Sequence, residues 1–205
     1  MTRRSGGIGR DAALGCRAHT GWAALVVVAG GVARPDVVLR RRAELRDPDG
    51  HVGRNVYHRS RALALAQAAA LIEAAERIAA DQAIIALGRT VREAAGDGAV
   101  VRACAVVVGA LPSGARLESI LASHALVHAA EGRLYQAALL HGAESLGLDA
   151  IGVPRRSIWE QGEAALGVDR DVLRHRMDGL RRAVGPPWAQ DQKLAALAGW
   201  IALAR

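Results

Sequence analysis

The chain contains no phenylalanine, and its aromatic residues, four Trp and two Tyr, amount to 3% of its length. A core without large rings must be packed from Ala, Val and Leu, and few aromatic platforms remain for stacking on nucleobases. Only two cysteines occur, Cys16 and Cys104, far apart and each inside an apolar run. That excludes a disulfide-rich scaffold and reads as two buried free thiols in a reducing cytoplasm. No apolar stretch reaches the roughly 20 residues needed to cross a bilayer, so no membrane partner is expected. Arg3, Arg4 and Arg10 precede the apolar run 21–33 as in an export signal, but Asp11, Arg17 and His19 break the approach, and the expected location is cytoplasmic. P-loop, C-x-x-C, G-x-S-x-G and H-E-x-x-H motifs are all missing, as are internal repeats.

What is present is skewed towards Ala, Gly, Val and Arg. Of 27 lysine and arginine positions, Lys193 is the single lysine, a bias expected of a GC-rich coding sequence. Against 20 acidic residues these leave a net charge of +7. A basic surface favours a polyanionic partner, nucleic acid foremost, because neutralised phosphates release counterions.

At 205 residues the chain can bury one full core. Residues 1–12 are expected to be a basic disordered tail and residues 13–205 a single domain. The β-branched run Val26, Val27, Val28 and the more charged run 36–45, separated by Gly30, Gly31 and Pro35, predict a hairpin opening a sheet. A loop over 47–60 leads to a helix from Arg61 to Gly88 with Ser60 as its cap, a polar segment over 90–98 and a strand over 102–111. Helices over 117–147 and 157–183, a strand over 149–153 between them and a last helix over 188–204 complete an α/β chain with a mixed sheet.

The most informative stretch is 117–147, which has no proline and reads as one long helix. At 100° per residue Leu117, Ile120, Leu121, His124, His128, Glu131, Tyr135 and Leu139 share one stripe, which puts two imidazoles and a carboxylate on the face expected to be buried. Their i, i+4, i+7 spacing suits a metal ion, a hydrogen-bonded structural network or acid–base chemistry. As a cation site it needs a further ligand, with His19 or Asp191 as nominees. Trp188 is read as a packing anchor, and Arg40, Arg41 and Arg42 as solvated charges on an edge strand.

Residues 14–28, LGCRAHTGWAALVVV, resemble the first strand of ribonuclease-H-like proteins of the RuvC resolvase type, with Thr20-Gly21-Trp22 as their Thr-Gly-aromatic step. Residues 129–160 are similar to the helix, strand and following segment of those proteins, and residues 189–204 to their acidic final helix. The resemblance implies a ribonuclease-H-like mixed sheet flanked by helices, nucleic acid as partner, and divalent metal (Mg, Mn or Zn) held by acids on the first strand, the central strand and the last helix. Of those acids only Asp191 is matched. The others fall at Arg17, near Leu194 and in Val108-Gly109-Ala110.

The function expected from the resemblance is that of a nucleic-acid-associated protein. In its active form this is a divergent metal-dependent nuclease, with His124, His128, Glu131 and Asp191 holding the cation and His19 positioning or activating water. The alternative is a catalytically inactive structural or interaction module of the same fold. A nucleotide-binding, actin-like relative is disfavoured by the lack of a second half.

Overall fold

The computed structural model describes residues 9–31, 34–50, 52, 54–110 and 114–205. The first apolar run is two strands, β1 (Arg10–His19) and β2 (Trp22–Gly31), where a single strand was expected. Gly21, at φ 82°, explains the difference: it closes a two-residue turn across the pair His19 and Trp22, a conformation that costs glycine little. Strand β3 (Arg34–Glu44) returns antiparallel to β2. Of the expected basic tail, residues 1–8 lie outside the described residues. Arg10 to Ala12 already belong to β1, where the Arg10 amide donates to Gly98 and its guanidinium meets Asp36 at 2.7 Å.

A short helix α1 (Val56–Ser60) forms where a loop was expected, and α2 (Leu65–Gly96) runs eight residues beyond the expected end at Gly88. Ser60 does not cap α2: its hydroxyl donates to Val56 inside α1. Strand β4 (Ala99–Val108) follows. The expected single helix over 117–147 is two, α3 (Leu117–Ala122) and α4 (His124–Ser145). They part at Ser123, which is extended at φ −109° and ψ 121° and accepts from the Leu126 amide as the α4 cap. Strand β5 (Asp149–Pro154) leads through a 3₁₀ turn into α5 (Ile158–Leu166), α6 (Arg170–Gly179), α7 (Arg181–Val184) and α8 (Gln190–Leu203). The helix expected over 157–183 is thus broken, first at Gly167, which adopts φ 63°.

The sheet order is β3-β2-β1-β4-β5, with β1, β4 and β5 mutually parallel and β2 antiparallel to its neighbours. Alternating side chains build two cores. Leu14, Cys16, Leu25, Val27 and Val106 face α1 to α4, whereas Ala13, Val26, Val28, Ala105, Val107 and Val153 face α5, α6 and α8. Both cysteines are free and fully buried in the first core, with their sulfurs 3.7 Å apart. Burial and the neighbouring Cys104 push the Cys16 thiol well up.

Helix α8 lies directly on β1. Its sequence AALAGWIAL presents small residues there, and Gly15 and Gly199 meet backbone to backbone. Arg40 of β3 fixes the chain just before this helix, donating to Val184, Pro186 and Pro187 carbonyl oxygens at 2.7 to 2.9 Å. The Trp188 indole donates to the Met177 carbonyl at 2.6 Å. Trp188 is therefore the packing anchor expected, while Arg40 is a tether and not a solvated edge charge.

Candidate functional site: a cation-lined cleft at the strand ends

In open α/β sheets ligands gather outside the carboxyl ends of parallel strands. Here the ends of β4 and β5 border a cleft of about 530 Å³ lined by Val108, Gly109, Ala110, Pro154, Arg155 and Arg156. Arg17 aligns with Val107, and Val107 with Val153, so the last residues of β1 belong to the same edge. Gln136 of α4 stiffens that edge from below: it is 6% exposed and its Oε1 accepts from the Gly109 amide at 3.1 Å.

Because alternate residues of β1 face α8, Arg17 and His19 both turn towards Asp191 in its first turn. His19 Nε2 lies 2.9 Å from Asp191 Oδ1, within ion-pair reach of a protonated imidazole although not aligned as a hydrogen bond. The ring stacks on Trp22, directly across the hairpin, with centroids 4.3 Å apart and planes 8° from parallel. Arg42 packs over the same indole at 3.9 Å, so Trp22 holds both an imidazole and a guanidinium against its ring.

Arg17 is the unusual member. Its side chain is 13% exposed, yet Nε has no hydrogen-bond partner and lies 4.0 Å from Asp191, and Nη1 donates only to the Ala18 carbonyl. Burial, followed by the Arg155 charge, pulls the guanidinium below its ordinary pKa, with Asp191 opposing. Arg155 and Arg156 are exposed and have no side-chain hydrogen bond or ion pair among the described residues. The strand ends therefore hold three guanidinium groups against one carboxylate.

The second cluster lies over the opposite face. His124 and His128, at the start of α4, are exposed, which corrects the expectation that the whole stripe is buried; Ile120, Glu131 at 3% exposure, Tyr135 and Leu139 are the buried part. The Nε2 atoms of His124 and His128 are 3.0 Å apart, and the His58 ring of α1 meets both edge-on, at 5.5 and 4.6 Å. Glu131 faces the start of α1, where its Oε1 accepts from the Tyr57 amide at 2.7 Å and the His58 amide at 3.4 Å, leaving Oε2 unpaired.

The nominated cation set is thus not assembled. Asp191 and His19 lie on the α8 face of the sheet, and Glu131, His124 and His128 on the other. Among the described residues no group of three or more His, Cys, Asp or Glu is placed to hold a metal ion. At the strand ends, the position implied by the resemblance, one carboxylate, one imidazole and three guanidinium groups do not fit a divalent cation that seeks several hard oxygens. Sequence reasoning missed Arg155, Arg156, Gln136 and His58. The Pro154-Arg155-Arg156 step just past a predicted strand was the one available signal.

Burial raises the Glu131 carboxyl, opposed by the Tyr57 and His58 amides and by His128. An acid raised on folding is better protonated in the native state, so its contribution to stability declines as pH climbs from its unfolded value, about 4.3, through the raised native one. Glu131→Gln keeps an acceptor for the Tyr57 amide without the charge. It should flatten the stability–pH curve in that window, whereas Glu131→Ala should cost about 1–3 kcal/mol at every pH. Urea unfolding of the three proteins between pH 4 and 8 checks this, and parallel curves for wild type and Glu131→Gln would refute it.

The class this architecture defines is α/β: a five-stranded mixed sheet flanked by helices, with the last helix laid over the first strand. Structural comparison finds the chain similar to RuvC of Thermus thermophilus in complex with a Holliday junction substrate, at a TM-score of 0.49 and 12% identity over 93% of this chain and 90% of that one. A second Thermus thermophilus RuvC structure gives 0.48 and 12% over 93% and 92%. No family model matches the chain, and no curated protein does. Among the described residues no helix is long and apolar enough to cross a membrane.

Proposed function

We propose that this chain is a nucleic-acid-associated protein whose cleft at the ends of β1, β4 and β5 holds a phosphodiester backbone on Arg17, Arg155 and Arg156, with no resident divalent cation. The observation that carries the reading is Arg17, a mostly buried guanidinium with an unpartnered Nε beside a second arginine. Two adjacent like charges are held together at a cost unless an anion with several acceptor oxygens sits between them. Phosphate is such an anion, and the guanidinium fork matches it. The net charge of +7 speeds the approach of a polyanion. A metal-dependent nuclease using Asp191 and His19 is the rival reading, and the donor set disfavours it. His124, His128 and Glu131 take no part in the cleft.

Fluorescence anisotropy with single-stranded, duplex and branched DNA and RNA tests the proposal. Wild type should bind with an affinity that falls as salt rises. The double variant Arg155→Ala, Arg156→Ala removes exposed, unpartnered side chains, so it should fold normally while weakening binding about tenfold or more and lowering the salt slope by about one per lost phosphate contact. Binding that is absent, or indifferent to salt and to both arginines, would favour the structural module. Products that require Mg²⁺ or Mn²⁺ and vanish in Asp191→Asn would install the nuclease reading instead.

A further inference from the structure

We infer that the His19 and Asp191 pair makes the cleft a metal-independent site for cleaving RNA, in which the substrate's own 2′-hydroxyl is the nucleophile. This rests on the phosphodiester reading of the same cleft and adds a reaction and a substrate class to it.

The imidazole is fixed between a carboxylate and an indole. Asp191 lies 2.9 Å from Nε2, Trp22 stacks beneath the ring at 4.3 Å, and Arg42 packs on Trp22 at 3.9 Å. Nε2 is buried against the carboxylate, so within a side chain that is one-third exposed Nδ1 is the nitrogen left for a ligand. A turn of the carboxylate that brought it into line with Nε2–H would select the tautomer whose Nδ1 accepts a proton. Arg17 and Arg155 put positive charge where a phosphate in the cleft would gain negative charge on its way to a pentacoordinate phosphorus.

The donor set decides the substrate. A single carboxylate does not supply the several hard oxygens that hold water-activating cations, so a substrate that carries its own nucleophile suits this donor set best. RNA carries a nucleophile next to the phosphorus, and such intramolecular attack needs only a base and charge stabilisation. The step balances as follows. The 2′-oxygen bonds to phosphorus while its proton passes to His19 Nδ1, and the bond from phosphorus to the 5′-oxygen breaks. The departing oxygen takes a proton from water, and the hydroxide so formed takes the proton back from the imidazolium. A 2′,3′-cyclic phosphate and a 5′-hydroxyl result. Asp191 is a positioning residue here, since it acts through His19.

The test uses the full chain, EDTA, and a labelled DNA strand carrying one ribonucleotide, with the all-DNA strand as control. Cleavage at the ribonucleotide alone, leaving a cyclic phosphate, is the expected result. His19→Gln should reduce the rate about 100-fold or more with binding unchanged. Asp191→Asn should lower the single-turnover rate at saturating protein while leaving affinity intact, a split that a purely structural role would not produce. Binding of both strands with neither cut, or cutting equal in wild type and His19→Gln, overturns the inference and leaves the phosphodiester reading standing. Failure to bind either strand removes both.

Discussion

Gly15→Ala is expected to cost about 3 kcal/mol or more, which for a chain of this size lowers the melting temperature by roughly 6–12 °C. An added Cβ would lie 1.7 Å from the Ala195 carbonyl oxygen, 2.7 Å from its carbon and 2.8 Å from the Gly199 nitrogen. All three are backbone atoms of α8, so no rotamer change relieves the overlap and the whole helix must move off β1. Asp191 would move with it and the His19 contact would be lost. Gly96→Ala is the control. Nothing lies within 4 Å of its added Cβ at the end of α2, and the gain in helix propensity should stabilise by about 0.5–1 kcal/mol. Thermal unfolding of the two variants reads both signs, and a Gly15→Ala protein as stable as wild type would mean that α8 does not sit where it is described.

Trp200→Ala is expected to cost about 3–5 kcal/mol in urea unfolding at neutral pH. Trp200 of α8 is 1% exposed, the largest fully buried side chain among the described residues, and belongs to the core that α8 forms with Ala13, Val26, Val28 and the residues of α5 and α6. The chain has no phenylalanine to refill the space, and in a close-packed core a deletion of this size leaves a cavity that neighbouring side chains fill only in part. The indole Nε1 is buried without a partner, so Trp200→Phe keeps most of the packing and removes an unpaired donor. It should cost less than half as much as the alanine variant. Equal losses would show that something other than packing fixes this residue.

These two substitutions also mark how far the sequence can be read. The strand pattern was legible because Val26 to Val28 and Ala105 to Val107 are runs that only a sheet covered on both faces accommodates. The final helix was legible from its apolar composition, and the buried thiols from their surroundings. Element ends were not: Gly21 split one expected strand in two, and Ser123 split one expected helix, each through a single residue's backbone angles. The helical period also did not tell which polar groups of α4 are covered: His124 and His128 lie in solvent, while Glu131 meets the start of α1, a partner more than 70 positions away that no periodicity reports.

The sequence by itself determined the α/β class, the sheet covered on both faces and the excess of positive charge, because these follow from composition and local period. Only the tertiary structure decided which charged groups meet. It placed His19 and Asp191 together on one face of the sheet and Glu131 on the other, and it brought Arg155 near Arg17 at the strand ends. Strand order and helix docking are set by packing between segments distant in sequence, and the chemistry of the cleft is a by-product of that packing.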